Sequence, residues 1–420
     1  MNKKVHTTLL IVLLTYINGP FFFIVITPLH RCFYYAISVL PFFIAVYKGV
    51  KKNINVKHFS LITLIYVLSI FLVQLVTNAF DFQFLIAFTR SVLNILGTLS
   101  IFSFYQYSNE KIDMSYREIS IISVILYISG SIVFLCVPSL KAFWTSIIVQ
   151  FNAIEFMSVV EYVTRFGFAG FSGFGFTYWV SSCTIVFCYM YINKELEESK
   201  SYIYIIMLLI GSFFYGRSGF VVTSLFFILL TLYSLFNKKR KLLKFFVFIL
   251  LFFIVIGFVL YFSVPFFKPF IDWLLEPFFS YLEGGKFESA STNGLKKFYE
   301  NFHPSDKTFL LGDGYWMDLN GKGYYGHTDV GFMRNIYYGG IFYTLIQYTL
   351  VISVILYVGL WIKNNHKKGV FFIPLLMFLD FLLFELKGDI VFLWLKQFLP
   401  FYLSLLYSGK SEVFLYRKLI

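Results

Sequence analysis

The chain is a succession of apolar runs, each about one bilayer deep, separated by short polar segments, and that alternation decides what it can fold into. The runs fall at approximately 8–28, 33–47, 59–77, 85–105, 119–138, 176–192, 201–216, 219–236, 245–264, 337–362, 369–386 and 390–408. A hydrocarbon core about 30 Å thick is crossed by about 20 apolar residues in a helix. An open strand edge there would leave amides unpaired, so each run is expected to be a helix. The expectation is an all-α, polytopic integral membrane protein of about 12 transmembrane helices, with residues 1–420 as a single membrane domain. Composition agrees. Charged residues are 14% of the chain and hydrophobic ones 59%, at a mean hydropathy of +0.76, whereas soluble domains carry about 25% charge.

A net charge of +13 raises the question of nucleic acid. The answer lies in where the charge sits. Most Lys and Arg fall in short clusters between the apolar runs: Lys3 and Lys4, Lys48 to Lys57, Lys111 with Arg117, Lys194 with Lys200, Lys238 to Lys244, Lys363 to Lys368, and Lys410, Arg417 and Lys418. Every second connection carries such a cluster. Basic loops are retained in the cytoplasm, so both termini are expected there, and no nucleic-acid partner is expected. The alternate connections keep isolated cations such as Arg31 and Lys387. The start of the chain imitates a signal peptide, but Asn18-Gly19-Pro20 is no small-x-small cleavage site, so an uncleaved first span is expected. Cys32, Cys136, Cys183 and Cys188 lie in or beside apolar runs and read as small core hydrophobes.

This topology leaves two long segments on the outer side, 139–175 and 265–335. The second, inserted between the ninth and tenth spans, is long enough to be a folded functional element rather than a tether. Leu295, Phe298 and Phe302 describe an apolar helical stripe beside Lys296 and Lys297, which predicts a short helix on the membrane face. No internal repeat stands out, and the long loop has no counterpart after the third span.

Three arginines stand at the outer ends of spans: Arg165 before Phe166-Gly167-Phe168, Arg217 in Gly216-Arg217-Ser218-Gly219, and Arg334 in Gly331-Phe332-Met333-Arg334. An arginine costs about 2.5–3.5 kcal/mol at a helix centre and less toward the interface, so each needs water or a partner anion. Guanidinium offers a fixed fork of donors matched to two oxygens, and several such forks would hold a pyrophosphate. The alternative is that each side chain snorkels to the headgroups. In Gly326-His327-Thr328-Asp329-Val330-Gly331, His327 can exchange a proton near neutrality and Asp329 can act as a base or orient the imidazole. Thr328 and Asp329 are equally suited to cap the following helix.

His303, Asp306, Asp313 and Asp318 do not form a recognisable ligand set, and no HExxH or CxxC pattern is present, so no metal is expected. Tyr299, Phe302, Tyr315, Trp316, Tyr324 and Tyr325 are suited to stack on sugars, yet aromatics are 22% of the chain and belong by default to interfacial belts. A P-loop, a dinucleotide fingerprint and a G-x-S-x-G elbow are all missing, which leaves no cofactor expected.

Taken in order, Arg165-Phe-Gly-Phe-Ala-Gly-Phe-Ser-Gly-Phe-Gly175, Gly216-Arg217-Ser-Gly219, Phe309-Leu-Leu-Gly312-Asp-Gly314, His327-Thr-Asp329-Val-Gly331 and Arg334 through Tyr338-Gly339-Gly340 resemble the O-antigen polymerase family. That family is related to the O-antigen ligases within the C-type membrane glycosyltransferases. The resemblance implies a metal-independent glycosyltransferase of the bacterial inner membrane, acting at the periplasmic face on undecaprenyl-pyrophosphate-linked repeat units as donor and acceptor. Membrane lipids, and optionally a chain-length regulator, are its other implied partners. It carries Arg217 and Arg165 over as ligands of the donor pyrophosphate, His327 and Asp329 as the polar pair that activates the acceptor hydroxyl, and Arg334 as an auxiliary cation. Relatives often place an arginine on the loop helix. Here Lys296 and Lys297 stand there, supplying charge without the fork.

Two rival readings follow. An O-antigen ligase would transfer finished polymer to lipid A core, and the ligases tend to place asparagine soon after the loop histidine, where this chain has Thr328-Asp329. A flippase or other transporter of lipid-linked oligosaccharide would carry charge deep within several spans, where Arg90 is the main instance here.

Overall fold

The computed structural model describes residues 54–81, 112–147, 166–167, 170–171, 174–237, 240–263, 267–318 and 323–391, with 398 and 405. The expected spans at 8–28, 33–47 and 85–105, nearly all of 390–408, and Arg90, Arg165 and Cys32 lie outside these residues. The described chain is helical apart from one small ribbon. Its helices are α1 (Ile54–Thr77), α2 (Ile112–Cys136), α3 (Pro138–Ile147), α4 (Phe174–Ile192), α5 (Glu198–Tyr215), α6 (Arg217–Phe236), α7 (Lys241–Ser263), α8 (Phe267–Gly284), α9 (Ala290–Glu300), α10 (Asp306–Leu311), α11 (Gly331–Asn364) and α12 (Phe372–Glu385). Strands β1 (Phe166–Gly167) and β2 (Gly170–Phe171) pair antiparallel within the glycine-rich segment, where Gly167 lies too close to Tyr127 of α2 for any side chain.

Among the described residues, parts of five helices are long and apolar enough to cross a membrane: Arg117–Cys136 within α2, and α4, α6, α7 and α11. Helix α4 is the centre of the bundle. It packs against α2, α5, α6 and α12 and buries 16 of its residues, including the hydroxyls of Thr177, Ser181, Ser182 and Thr184. Helix α7 is its opposite, a nearly unbroken run of Leu, Ile, Val and Phe that buries only Leu242 and Ile249. Polar groups on α4 find partners inside the protein, as where Ser181 donates to Asp380 of α12 at 2.6 Å. The most apolar helix faces outward, an arrangement suited to hydrocarbon rather than water.

The polar ends of the bundle differ. At one end Arg117 pairs with Glu195 at 3.1 Å, Lys367 with Glu195 at 3.5 Å, Lys200 with Glu118 at 3.4 Å and Lys241 with Glu198 at 3.1 Å. Four of the basic clusters thus meet on a single face. At the other end lie the last turns of α1, α2, α5 and α12, the first turns of α4, α6 and α11, and the loop helices α8, α9 and α10.

Several details depart from expectation. Helix α11 begins at Gly331, six residues before the apolar run at 337, so Arg334 belongs to its first turn instead of the preceding loop. Phe302 lies beyond the end of α9 and packs edge-on against Phe332 and Tyr337, so the apolar stripe anchors the helix to α11. Cys183 and Cys188 are buried as expected, but Cys136 at the end of α2 is exposed.

Candidate functional site

Two glycine-containing segments meet, Gly312 to Gly314 in the loop and Gly339-Gly340 within α11. Gly340 takes φ +72 inside that helix, and such a break leaves nearby carbonyls without helical donors. The carbonyls of Tyr337 and Tyr338 accept instead from the amides of Asp313 and Gly314, both at 2.8 Å. The approach is backbone on backbone. A Cβ at Gly312 would strike the Tyr338 carbonyl, and one at Gly340 the Leu310 carbonyl, while both glycines hold positive φ.

Beyond this junction the stretches 316–318 and 323–325 pair as the two arms of a hairpin: Met317 bridges Tyr324 and the Tyr325 amide donates to the Trp316 carbonyl at 3.1 Å. The hairpin covers Arg334. Its guanidinium carbon lies 4.3 Å from the Trp316 ring centre and 3.5 Å from that of Tyr324, and the residue is only 8% exposed. The Asp313 carboxylate accepts from Thr308 at 3.0 Å and from the Tyr325 hydroxyl at 3.2 Å, which ties α10 to the hairpin's far strand.

His327 follows, at φ +50. Thr328 is extended (φ −125, ψ 142) and buried, whereas His327 and Asp329 on either side of it are exposed. Thr328 Oγ1 accepts from the Val330 amide at 3.2 Å. Val330 is the N-cap of α11 and no side chain caps the helix, so Asp329 is not a cap. Neither His327 nor Asp329 makes a side-chain hydrogen bond or ion pair with a described residue.

The first turn of α11 rests on the end of α12. Glu385 accepts from Asn335, Tyr348 and the Ile390 amide, each at 3.0 Å, and Gly331 gives its carboxylate room. Burial pushes the neighbouring Asp389 carboxyl above the ordinary carboxylate range, and the Arg334 guanidinium offsets part of that. One turn of chain away, Lys387 donates to Ser218 at 3.3 Å and the Tyr299 hydroxyl to the Leu386 carbonyl at 3.2 Å. Ser218 is the neighbour of Arg217.

Arg217 is the first residue of α6, preceded by Gly216 at φ 159. Its guanidinium hydrogen-bonds the Glu276 carboxylate of α8, donates to the Trp273 carbonyl at 3.1 Å and stacks 4.8 Å from the Trp273 ring centre. The other Glu276 oxygen accepts from the Ala290 amide at 2.8 Å, at the start of α9, where Ser289 and Thr292 form a capping box. Burial pushes the Glu276 carboxyl up, but the Ala290 amide and Arg217 outweigh it and hold it below its ordinary value.

Arg217, Arg334, His327 and Asp329 therefore lie at the same end of the bundle, linked through Lys387 and the turn 386–390. Lys296 and Lys297 point to solvent on α9, with Lys296 ion-paired to Glu300 at 3.7 Å. Among the described residues no group of His, Cys, Asp and Glu is disposed to hold a metal. Glu276, Trp273, Asp81 and Glu385 escaped the sequence reading. Each is an ordinary residue made significant by a partner far along the chain, which leaves no local signal. No protein-family model, curated protein or solved structure matches this chain.

Proposed function

We propose that the chain is a metal-independent membrane glycosyltransferase of the O-antigen polymerase kind, joining undecaprenyl-pyrophosphate-linked oligosaccharide units at the outer face of the bacterial inner membrane. One observation carries the reading: two guanidinium groups and an uncommitted His–Asp pair share the end of the bundle opposite the basic loops, beside a folded loop. In this scheme Arg217 binds the donor pyrophosphate, which displaces Glu276, and Arg165, before the β-ribbon, joins it. His327 or Asp329 takes the proton of the acceptor hydroxyl as its oxygen attacks the anomeric carbon, and the bond to the pyrophosphate breaks with the electron pair leaving on phosphate oxygen. Fixed guanidinium groups stabilise the charge of that leaving group. Arg334, held against two rings, supplies a preorganised positive charge nearby. The basic face is cytoplasmic in this reading.

The test is complementation of a deletion strain by the parent chain and by Arg217→Ala, His327→Ala and Asp329→Ala, read as the lipopolysaccharide ladder and as the amount of protein in the membrane. Loss of a polymerase leaves a single repeat on the lipopolysaccharide, and loss of a ligase leaves none. Long chains from Arg217→Ala at normal protein levels would refute the assignment of that residue. Transport of lipid-linked oligosaccharide by the purified protein, with no glycan extension, would replace the reading by a flippase.

A further inference from the structure

We propose that Asp81, beyond the end of α1, is a positioning residue for the acceptor half of this site: its carboxylate fixes the hairpin that packs Arg334 and presents His327. The inference rests on the polymerase reading and adds to it a residue from a different part of the chain.

Asp81 is 7% exposed. Its Oδ2 accepts from two successive backbone amides, Trp316 at 2.8 Å and Met317 at 3.0 Å. Bonds from a carboxylate to backbone N–H groups are about twice as strong as those between neutral partners. Asp81 is itself held, since its amide donates to Gln74 Oε1 at 3.1 Å. The Gln74 amide nitrogen in turn donates to the Gly314 carbonyl at 3.1 Å and to the Tyr338 hydroxyl at 2.9 Å. Gly314, at φ +79, lies against Thr77 and Ala79 with no room for a side chain. The end of α1 thereby grips residues 314–317 on both backbone polarities.

What is gripped there is the root of the hairpin. Trp316 is one of the two rings against Arg334. Its carbonyl accepts the Tyr325 amide, which sets the register that brings Tyr324, the second ring, over the same guanidinium. His327 follows two residues after that bond. A displacement at Trp316 is therefore passed to Arg334 through the ring and to His327 through the strand. Arg217 stands apart from this chain of contacts, held by α8.

The expected result of Asp81→Ala is a kcat for glycan extension lower by about 10- to 100-fold, in keeping with the cost of misplacing catalytic groups by about an ångström, with KM for the lipid-linked donor changed less than threefold. Asp81→Asn keeps an oxygen that can accept both amides and should restore kcat to within a few-fold. A role in folding alone would lower the yield of protein without dividing kcat from KM. The readout independent of activity is hydrogen exchange of the protein in lipid nanodiscs, followed by mass spectrometry. Peptides covering 312–318 should exchange faster in Asp81→Ala and at the parental rate in Asp81→Asn.

Normal kcat in Asp81→Ala despite faster exchange would overturn the proposal, as would unchanged exchange in that variant. So would an Asp81→Asn protein as slow as Asp81→Ala while its exchange is parental, because charge and not the grip would then matter. If the parent chain extends no glycan, the polymerase reading falls separately, and the exchange comparison still decides whether Asp81 holds the hairpin.

Discussion

Removing the Glu276 carboxylate should make the site bind its donor more tightly. Glu276 and a donor pyrophosphate compete for the same guanidinium, so the strength of the internal pair sets what the donor must overcome. Arg217 is 16% exposed and Glu276 34% exposed. That places the pair between exposed ion pairs, worth about 0.2–1 kcal/mol, and buried ones, where losing a partner costs about 3–5 kcal/mol. An intermediate value of about 1–2 kcal/mol corresponds to about a 5- to 30-fold change in affinity. Glu276→Gln is the cleaner variant, because its amide oxygen can still accept from Ala290 and keep the start of α9 in place. The assay is glycan extension by protein in nanodiscs against lipid-linked donor concentration, with the apparent KM expected to fall by that factor. The pH dependence has a definite sign. A carboxyl held below its ordinary value of about 4.3 contributes its pairing above that value and loses it only as pH falls through the depressed one. The difference between Glu276→Gln and parent should therefore be constant from pH 5 to 8 and shrink in stronger acid. A KM that rises in both Glu276→Gln and Glu276→Ala would refute competition and make the carboxylate a support that Arg217 needs.

Other substitutions probe the frame around the site. Gly340→Ala places a methyl against the Leu310 carbonyl at φ +72, so it should lose at least about 1–3 kcal/mol and lower the yield of folded protein extracted from membranes; Gly257→Ala, with open space around it, is the control and should be neutral or better. Arg117→Ala leaves Glu195 without its closest partner at the basic end, where the two are 4% and 10% exposed. Because Lys367 still pairs with Glu195 at 3.5 Å, the loss in a thermal or denaturant melt should fall below about 3–5 kcal/mol, the cost of an uncompensated buried charge, and the double change Arg117→Met with Glu195→Leu should recover most of it. Arg334→Lys gives up the planar contact with Trp316 and Tyr324, each such contact being worth about 0.5–2 kcal/mol. Glycan extension should slow by about 2- to 30-fold at unchanged helix content by circular dichroism, and an unchanged rate would remove Arg334 from the scheme.

The apolar runs announced the helices well, because in hydrocarbon a long apolar segment has few other ways to satisfy its amides. The run at 176–192 became α4 with its start two residues earlier, and the run at 119–138 became α2, which starts seven residues earlier and ends two earlier. Helices α3, α8 and α10 arose outside the runs, and α11 began early, where Gly331 to Ile336 carries too much polarity to read as a span. It is helical because Asn335 and Gly331 fit Glu385, a partner 50 residues away. Distance along the chain likewise hid Arg217 with Glu276 and Asp81 with Trp316. The glycines were visible as motifs, but their reason was not: Gly312 abuts the backbone of Tyr338 and Gly339, and Gly340 that of Leu310 and Leu311, a relation that exists only after the loop has folded onto α11.

The burial pattern connects that frame to chemistry. Of the five described helices long enough to cross a membrane, α4, rich in hydroxyls, is the most enclosed and α7, almost pure hydrocarbon, the least, so a cation that lies against the bundle is best answered by the protein. The cations are answered: Arg217 by Glu276 and Trp273, Arg334 by two aromatic rings, Lys387 by Ser218. His327 and Asp329, on either side of the buried Thr328, are left exposed and uncommitted. A site that grips an anion and moves a proton needs this division, because cations held in place have little left to reorganise while a base must be free to meet its substrate. It follows that changes at Glu276 should alter how readily Arg217 takes the donor and changes at Trp316 the position of Arg334, whereas changes at His327 or Asp329 should alter the chemical step with donor affinity intact.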